Sequence, residues 1–571
     1  MRTVYLKLRA NVELDGDISI AEREVKFFCE KYSEVKKDEI EKAQKQLNLT
    51  AVNYLSNTRK NSVIGFIGII KELDINSILI KSSFIQEIWI EKLSESETYL
   101  SEKPYCNYTP DKFYCLVPLF PIAEFLTYFK RNEIQQSDIS LISSYLSNKV
   151  YNAEIEKVVN KSSTSTPHAH GLHKYKAKFF PRLIRTFLIT ESENTENITV
   201  LDPFVGSGTA LLESSFLGFQ SIGVDIDKLS CLISESKVSL LNTTPTAIHK
   251  EHKAYLQKNG NVLPDYKFPS WISKKFDRWK TTPERDIYEK EISTLTNGLQ
   301  NLNGSKQLFQ TAISDAVTRK FNIRMMGTGV GRFALEIQKS SLDKIVIENI
   351  KFLTKASSII NVLKDAYDIT LKKPKVVNGN ATCLNIKDNS IDIILTSPPY
   401  LPASSGREDY LIGKSISITA LNLMNEEEIK LAEVGSVGSM KNQTQLIVNG
   451  LPDKVYELYA FLKNDELRNI KAEPTYTYYK DIKKSLEESF RVLKPKGKAI
   501  YIIGKESVFY TYKTREVLFK AECDKIFNEI ATDVGFNIKD IIDIELNKKN
   551  RNARPRALDK YYETVFILEK P

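Results

Sequence analysis

The chain has 571 residues, 42% of them hydrophobic and 27% charged, with a formal net charge of +9. That length supports two or three domains with real cores, and so small a charge spread over 65.2 kDa permits a polyanionic partner without requiring one. Six scattered cysteines (Cys29, Cys106, Cys115, Cys231, Cys383, Cys523) form no CxxC pair, which argues against disulfide or zinc frameworks and for a reduced, cytoplasmic protein. The amino terminus shows no signal-peptide pattern, and apolar runs such as Val63–Ile70 are too short to span a membrane.

Residues 1–150 read as an α/β accessory domain. Val4–Leu8 alternates like a strand and Ile20–Tyr32 has helical spacing; Ser77–Ile80 and Glu87–Ile90 read as further strands. This region is either a packing unit or a nucleic-acid-binding appendage. Residues 151–167 read as a linker, polar and rich in Ser and Thr over Asn160–Pro167. His168, His170 and His173 follow, but no acidic or cysteine partner lies nearby in sequence, so no metal is expected.

A strand over Ile198–Leu201 then runs into Asp202-Pro203-Phe204-Val205-Gly206-Ser207-Gly208-Thr209 and a helical pattern from Ala210 to Leu217. The two glycines let backbone approach a ligand closely, and Asp202 offers an acceptor to a cationic amine. A second strand within Gly218–Asp227 brings Asp225 about 20 residues past the turn, where an acid binds ribose hydroxyls. No phosphate-cradling lysine accompanies the turn, so it is not a P-loop. A helix follows over Cys231–Leu241.

Residues of about 242–374 are too many for an α/β connection and form an insertion. It carries basic stretches, Ser273–Lys280 and the glycine-rich Arg324–Phe333, which are either solvated faces or contacts to nucleic acid. A core strand resumes at Val376 and ends at Asn380. Another, Ile391–Leu395, leads through Thr396 into Ser397-Pro398-Pro399-Tyr400. A polar group, two stiff prolines and an aromatic ring at a strand's carboxyl end can hold a flat, amino-bearing base by edge and face. The alternative is a rigid turn. Pro402–Tyr410 reads as a loop over the site. Ile482–Val492 is an amphipathic helix, Lys494–Lys498 a turn, Ala499–Gly504 a core strand and Thr564–Leu568 a terminal strand.

Asp-Pro-Phe-x-Gly-Ser-Gly-Thr followed by Ser-Pro-Pro-Tyr resembles the S-adenosylmethionine-dependent DNA amino-methyltransferases, and Ser-Pro-Pro-Tyr looks most like their cytosine-N4 members. His173–Pro181 is similar to the family segment that precedes the glycine motif and helps close the cofactor pocket. This is the gamma-like motif order of the family. The resemblance covers roughly residues 168–241 and 375–571.

It implies a Rossmann-like, mostly parallel α/β sheet with a late antiparallel hairpin strand, in a catalytic domain over 168–571. Target recognition would lie at about 401–475. It implies S-adenosyl-L-methionine as cofactor, held by Asp202, Pro203, Phe204, Gly206, Ser207, Gly208, Thr209 and Asp225, with Lys178 and Phe179 bordering it. Asn380 stands where the family commonly has an acid that meets the adenine amine. Its amide oxygen can accept the same bond.

The catalytic set would be Ser397, Pro398, Pro399 and Tyr400. Ser397 and the Pro398 carbonyl accept from the target amine, and Tyr400 stacks on the base. The implied function is methylation of cytosine N4 in double-stranded DNA, in a restriction-modification setting with a cognate restriction endonuclease. The competing readings are adenine-N6 methylation, an RNA guanosine-N2 methyltransferase, and a non-catalytic DNA-binding module.

Overall fold

The computed structural model describes residues 2–9, 12, 15–39, 63–70, 75–91, 95–108, 113–147, 151–159, 167–175, 179–192, 197–257, 265–325, 333–401, 410–431, 450–511, 514, 516–546 and 561–571. The first part of the chain builds a six-stranded antiparallel sheet. Its strands are β1 (Arg2–Leu8), β2 (Cys29–Lys36), β3 (Val63–Ile70), β4 (Ile85–Glu91), β5 (Cys106–Tyr108) and β6 (Phe113–Leu116), in the order β2-β3-β1-β4-β6-β5. Both faces are covered: one joins the main core, and the other buries Tyr5, Val35, Ile64, Ile67, Trp89, Phe113 and Cys115.

Two local expectations fail here. Helix α1 (Asp15–Phe28) stops at Phe28, and Cys29 onward pairs with β3 instead of continuing to Tyr32. Ser77–Ile80 lies in helix α2 (Ile75–Lys81), which buries Ile75, Ile78 and Leu79. Those positions have the i, i+3, i+4 spacing of one helical face, which a four-residue apolar window cannot reveal.

The amino-terminal sheet is fastened by buried polar groups to helix α3 (Pro181–Glu191), which leads into the glycine motif. Glu24 of α1 accepts hydrogen bonds from the Ser83 and Phe84 amides, at 3.1 Å each, and from the Thr186 hydroxyl at 2.6 Å. Arg185 of α3 donates to the carbonyls of Ile80 and Lys81 and pairs with Glu213 at 2.6 Å. A buried charge stripped of its partner costs several kcal/mol, so this join is specific.

The second sheet has seven strands. They are β7 (Thr199–Asp202), β8 (Gln220–Asp225), β11 (Lys375–Asn378), β12 (Ile391–Thr396), β13 (Leu493–Gly504), β16 (Asn537–Leu546) and β17 (Tyr561–Glu569). The gaps in this numbering are two hairpins, β9 (Phe321–Met325) with β10 (Phe333–Ile337), and β14 (Ser507–Tyr510) with β15 (Val517–Ala521). The order is β11-β8-β7-β12-β13-β17-β16. The first five strands run parallel, and β17 lies antiparallel between β13 and β16. This is the Rossmann-like sheet with a late hairpin strand that the motif order implied. Helices cover both faces, so β12 reads as an almost unbroken apolar run, Ile-Asp-Ile-Ile-Leu-Thr.

The strand order reverses between β7 and β12, and ligands bind such sheets outside the carboxyl ends at that point. Helix α4 (Thr209–Phe216) follows the glycine turn, and α5 (Lys228–Ser239) follows β8. The long interval before β11 is mainly helical. It includes α6 (Ser270–Trp279), on which the basic stretch from Ser273 falls, α7 (Lys306–Lys320) and α8 (Leu342–Ala366). Most of the glycine-rich Arg324–Phe333 stretch lies outside the described residues; its ends pair in the β9–β10 hairpin.

After β12 come α9 (Tyr410–Ala420) and α10 (Ala472–Val492). The latter begins well before Ile482, and its first turns bury Tyr476, Tyr478 and Tyr479. The turn expected at Lys494–Lys498 falls inside β13. Lys496 has φ 64° and the register against β12 slips there, so the turn survives as a bulge in a continuous strand. Among the described residues no helix is long and apolar enough to cross a membrane.

Candidate active site

The glycine turn sits at the carboxyl end of β7. Asp202 is 1% exposed, and its Oδ1 accepts from the Phe204 amide at 3.1 Å and from Thr396 Oγ1 at 2.6 Å. Oδ2 is buried with no hydrogen-bond partner among the described residues. Burial pushes the carboxyl up to about 7.

Gly206 and Gly208 both lie in the left-handed region, φ 50° and 73°. A Cβ on Gly208 would come within 2.9 Å of Ser234 Oγ, so the turn needs glycine for conformation and for space. The turn is tied to β8: the Val205 amide donates to Val224 O and the Gly206 amide to Asp225 Oδ2, both at 2.9 Å. Pro203 is buried and Phe204 half-buried. Ser207 accepts from the buried Lys237 at 3.5 Å, and Thr209 opens α4.

Asp225 accepts on Oδ1 from the Asp227 amide at 2.9 Å. Burial and then the Asp227 charge raise its pKa. Asp227 caps α5 through the Leu229 amide and also accepts from Lys414 at 2.8 Å. Burial opposes the Asp227 charge, but Lys414 outweighs it and holds the carboxyl below the usual range. Lys414 also lies 4.3 Å from the centre of the Tyr175 ring, and the Tyr175 hydroxyl pairs with Ser230 at 2.9 Å. Tyr175 leans over the glycine turn, its hydroxyl 3.5 Å from where a Gly206 Cβ would be. Ile226, 38% exposed beside Asp225, offers apolar surface for a flat ring.

Asn380 is exposed just beyond β11, next to Asp225, since the Gly379 amide donates to Asp225 O at 3.0 Å. Its Oδ1 already accepts from the Thr382 amide at 3.0 Å, which leaves one lone pair for a ligand. Lys178 lies outside the described residues, and Phe179 is half-buried against the core.

Ser397 follows β12 directly and is half-buried; Pro398 is buried. The Pro399 carbonyl accepts from Tyr478 of α10 at 2.8 Å. The Tyr400 hydroxyl donates to Glu563 at the start of β17, and the Tyr400 ring lies 3.8 Å from the place of a Cβ on Gly504. The residues expected from sequence fall into two groups. The glycine turn with Asp202 and Asp225 forms one hydrogen-bonded unit, and Thr396 joins it to the strand that carries Ser397. Tyr175, Ile226, Lys414, Tyr478 and Glu563 were not singled out. Only Tyr175 had a sequence signal, its place in the segment before the glycine motif.

The histidines acquire an acidic neighbour that sequence proximity could not reveal. His170 Nε2 pairs with Glu213 of α4 at 2.7 Å, and the His168 ring lies tilted against that of His170 with ring centres 5.0 Å apart. The other Glu213 oxygen is held by Arg185, so the carboxylate already has a cationic partner.

The orphaned Asp202 oxygen, the glycine turn left open by two left-handed residues, and Asp225 beside Ile226 fit a cofactor with a cationic amine, a ribose and a purine. These features at the switch point of this sheet define an S-adenosylmethionine-dependent methyltransferase. Residues 26–236 match the family model described as DNA methylase. The chain is 24% identical over 378 residues to the type II methyltransferase M.MvaI of Kocuria varians, covering 59% of this chain and 77% of that one. It is 22% identical over 518 residues to M.BsoBI of Geobacillus stearothermophilus, covering 80% and 95%. Among solved structures it is similar to a methyltransferase of Methanosarcina mazei, with 12% identity, 66% and 93% coverage and a TM-score of 0.24. The match over residues 26–236 and these relatives support an S-adenosylmethionine-dependent amino-methyltransferase.

Proposed function

We propose that this protein methylates the exocyclic N4 amine of cytosine in double-stranded DNA, at a defined sequence, as the cytoplasmic modification partner of a restriction endonuclease. The observation that carries it is Ser397-Pro398-Pro399-Tyr400 at the end of β12, joined through Thr396 to the Asp202 unit. When bound, S-adenosylmethionine supplies the methyl group from its sulfonium centre. Asp202, Gly206, Ser207, Gly208, Thr209 and Asp225 would hold it, with Phe204 and Asn380 at the rim.

An exocyclic amine is a poor nucleophile, because its lone pair is delocalised into the ring. The Ser397 hydroxyl oxygen and the Pro398 carbonyl accept its two N–H groups and draw the nitrogen toward a pyramidal form. The prolines fix φ on either side, and Tyr478 holds the Pro399 carbonyl, so the acceptors are set before the base arrives. Tyr400 offers a ring face to the extruded base, which offsets an unstacking cost of a few kcal/mol.

Adenine N6 presents the same two N–H groups to the same acceptors and is the second reading; the matched family does not distinguish them. Incubation with labelled cofactor and separate DNA and RNA pools, followed by nucleoside mass spectrometry, tests the proposal. N4-methylcytosine in DNA supports it. N6-methyladenine overturns the base assignment. Methylated guanosine in RNA, or no transfer, overturns the function.

A further inference from the structure

Tyr400 is held at its hydroxyl end by a residue far along the chain. Its OH donates to the Glu563 carboxylate, and Glu563 is the cross-strand partner of Gly504 in the β13–β17 pair. Gly504 has no side chain, so the Tyr400 ring lies across β13 at ordinary contact distance, with 3.8 Å to the place a Cβ would occupy. One residue earlier, Tyr478 grips the Pro399 carbonyl from α10. The Pro-Tyr step is thus clamped at its backbone by one element and at its ring tip by another.

The strand that carries Glu563 is itself pinned. The Thr564 hydroxyl donates to Asp543 of β16 at 2.9 Å, and Lys505 pairs with Asp543. A tyrosine at a strand end needs no carboxylate to complete a turn. The bond to the carboxylate fixes the ring tip and the contact with β13 at Gly504 limits its rotation, and together these are what a stacking platform requires.

We infer that Glu563 is a positioning residue for the methyl transfer: it holds the tip of the Tyr400 ring against β13, so that the ring's other face meets the target base. This rests on the reading of Ser397-Pro398-Pro399-Tyr400 as the base-holding motif. Glu563 takes no proton from the base and exchanges none with Tyr400; its role is geometric.

The test measures kcat for labelled methyl transfer to DNA, and cofactor Kd by calorimetry, in Tyr400→Phe, Glu563→Ala, Glu563→Gln and the Tyr400→Phe/Glu563→Ala pair. The expected result is a kcat loss of about tenfold in Tyr400→Phe and in Glu563→Ala, the size of one charge-assisted hydrogen bond. Cofactor Kd stays unchanged, and the double variant is no slower than either single one. Glu563→Gln, which keeps an acceptor, recovers most of the rate. Additive losses, or full kcat in Tyr400→Phe, would overturn the positioning role. The Tyr400→Phe arm decides alone if Glu563→Ala does not fold. A wild-type protein that transfers no methyl group to DNA would instead overturn the base-holding reading, and this inference with it.

Discussion

Thr396 Oγ1 donates a 2.6 Å hydrogen bond to Asp202 Oδ1, joining the carboxyl ends of β12 and β7 across the point where the strand order reverses. The residue before the proposed base-holding motif thereby touches the residue proposed to hold the cofactor amine. Neither chain neighbourhood alone would place them together, because the contact spans 194 positions.

Thr396→Val keeps the shape of the side chain and removes the donor. The Asp202 carboxyl should then rise above about 7, and cofactor binding should weaken by about tenfold, roughly 1.4 kcal/mol. Thr396→Ser should restore it. Calorimetric titration with the cofactor checks both; equal affinity in Thr396→Val would remove this bond from the binding energetics.

The pH dependence follows from the raised carboxyls. Asp202 is pushed up to about 7 by burial, and Asp225 is raised by burial and by Asp227. A folded-state pKa above the unfolded one means that the fold holds the proton more tightly. These groups therefore favour the fold at low pH and lose that contribution as pH rises from about 4 to about 7. Binding of a cationic amine needs Asp202 ionised, so cofactor affinity should increase over the same range. Thermal melts with and without cofactor should diverge as pH rises toward 8, and Asp202→Asn should abolish the divergence.

Lys414 and Asp227 form a pair with side chains 10% and 9% exposed. Lys414→Met leaves the Asp227 carboxylate buried without its cation and should cost on the order of 3 kcal/mol in denaturant melts. Adding Asp227→Asn should recover much of the loss. Independent, additive effects would show that the two residues do not act as a pair.

The glycines of the site make opposite forecasts. Gly208→Ala imposes φ 73° on a side chain whose Cβ would sit 2.9 Å from Ser234 Oγ, and should cost about 2 kcal/mol or more. Gly504→Ala meets Tyr400 only at 3.8 Å and should cost less than about 1 kcal/mol. A ranking reversed in chemical denaturation would contradict the described packing.

The two motifs were legible because each is contiguous and its chemistry depends on backbone conformation: glycines at positive φ, prolines with fixed φ, an acid closing a strand. The sheet was legible from motif order and apolar runs. What sequence could not supply was partnership across the fold. Lys414 reaches Asp227 over 187 positions and Tyr400 reaches Glu563 over 163, and neither Lys414 nor Glu563 lies in a patterned segment. The bulge in β13 misled for a different reason: Lys-Pro-Lys-Gly-Lys has turn chemistry, and the turn was absorbed into the strand.

The buried join between α3 and the amino-terminal sheet also bears on how the chain reaches its fold. All six strands of that sheet lie within the first 116 residues, whereas β7 cannot pair with β12 until residues beyond 391 exist. During synthesis the amino-terminal sheet can complete itself first. It then offers the Ile80 and Lys81 carbonyls, Glu24 and Ser83 to α3, seating the helix that enters β7 while the rest of the central sheet is still being made. An early template of this kind shortens the effective search for the long-range pairing that slows such sheets. The first sheet would then serve the second as a scaffold for assembly, whatever else it binds.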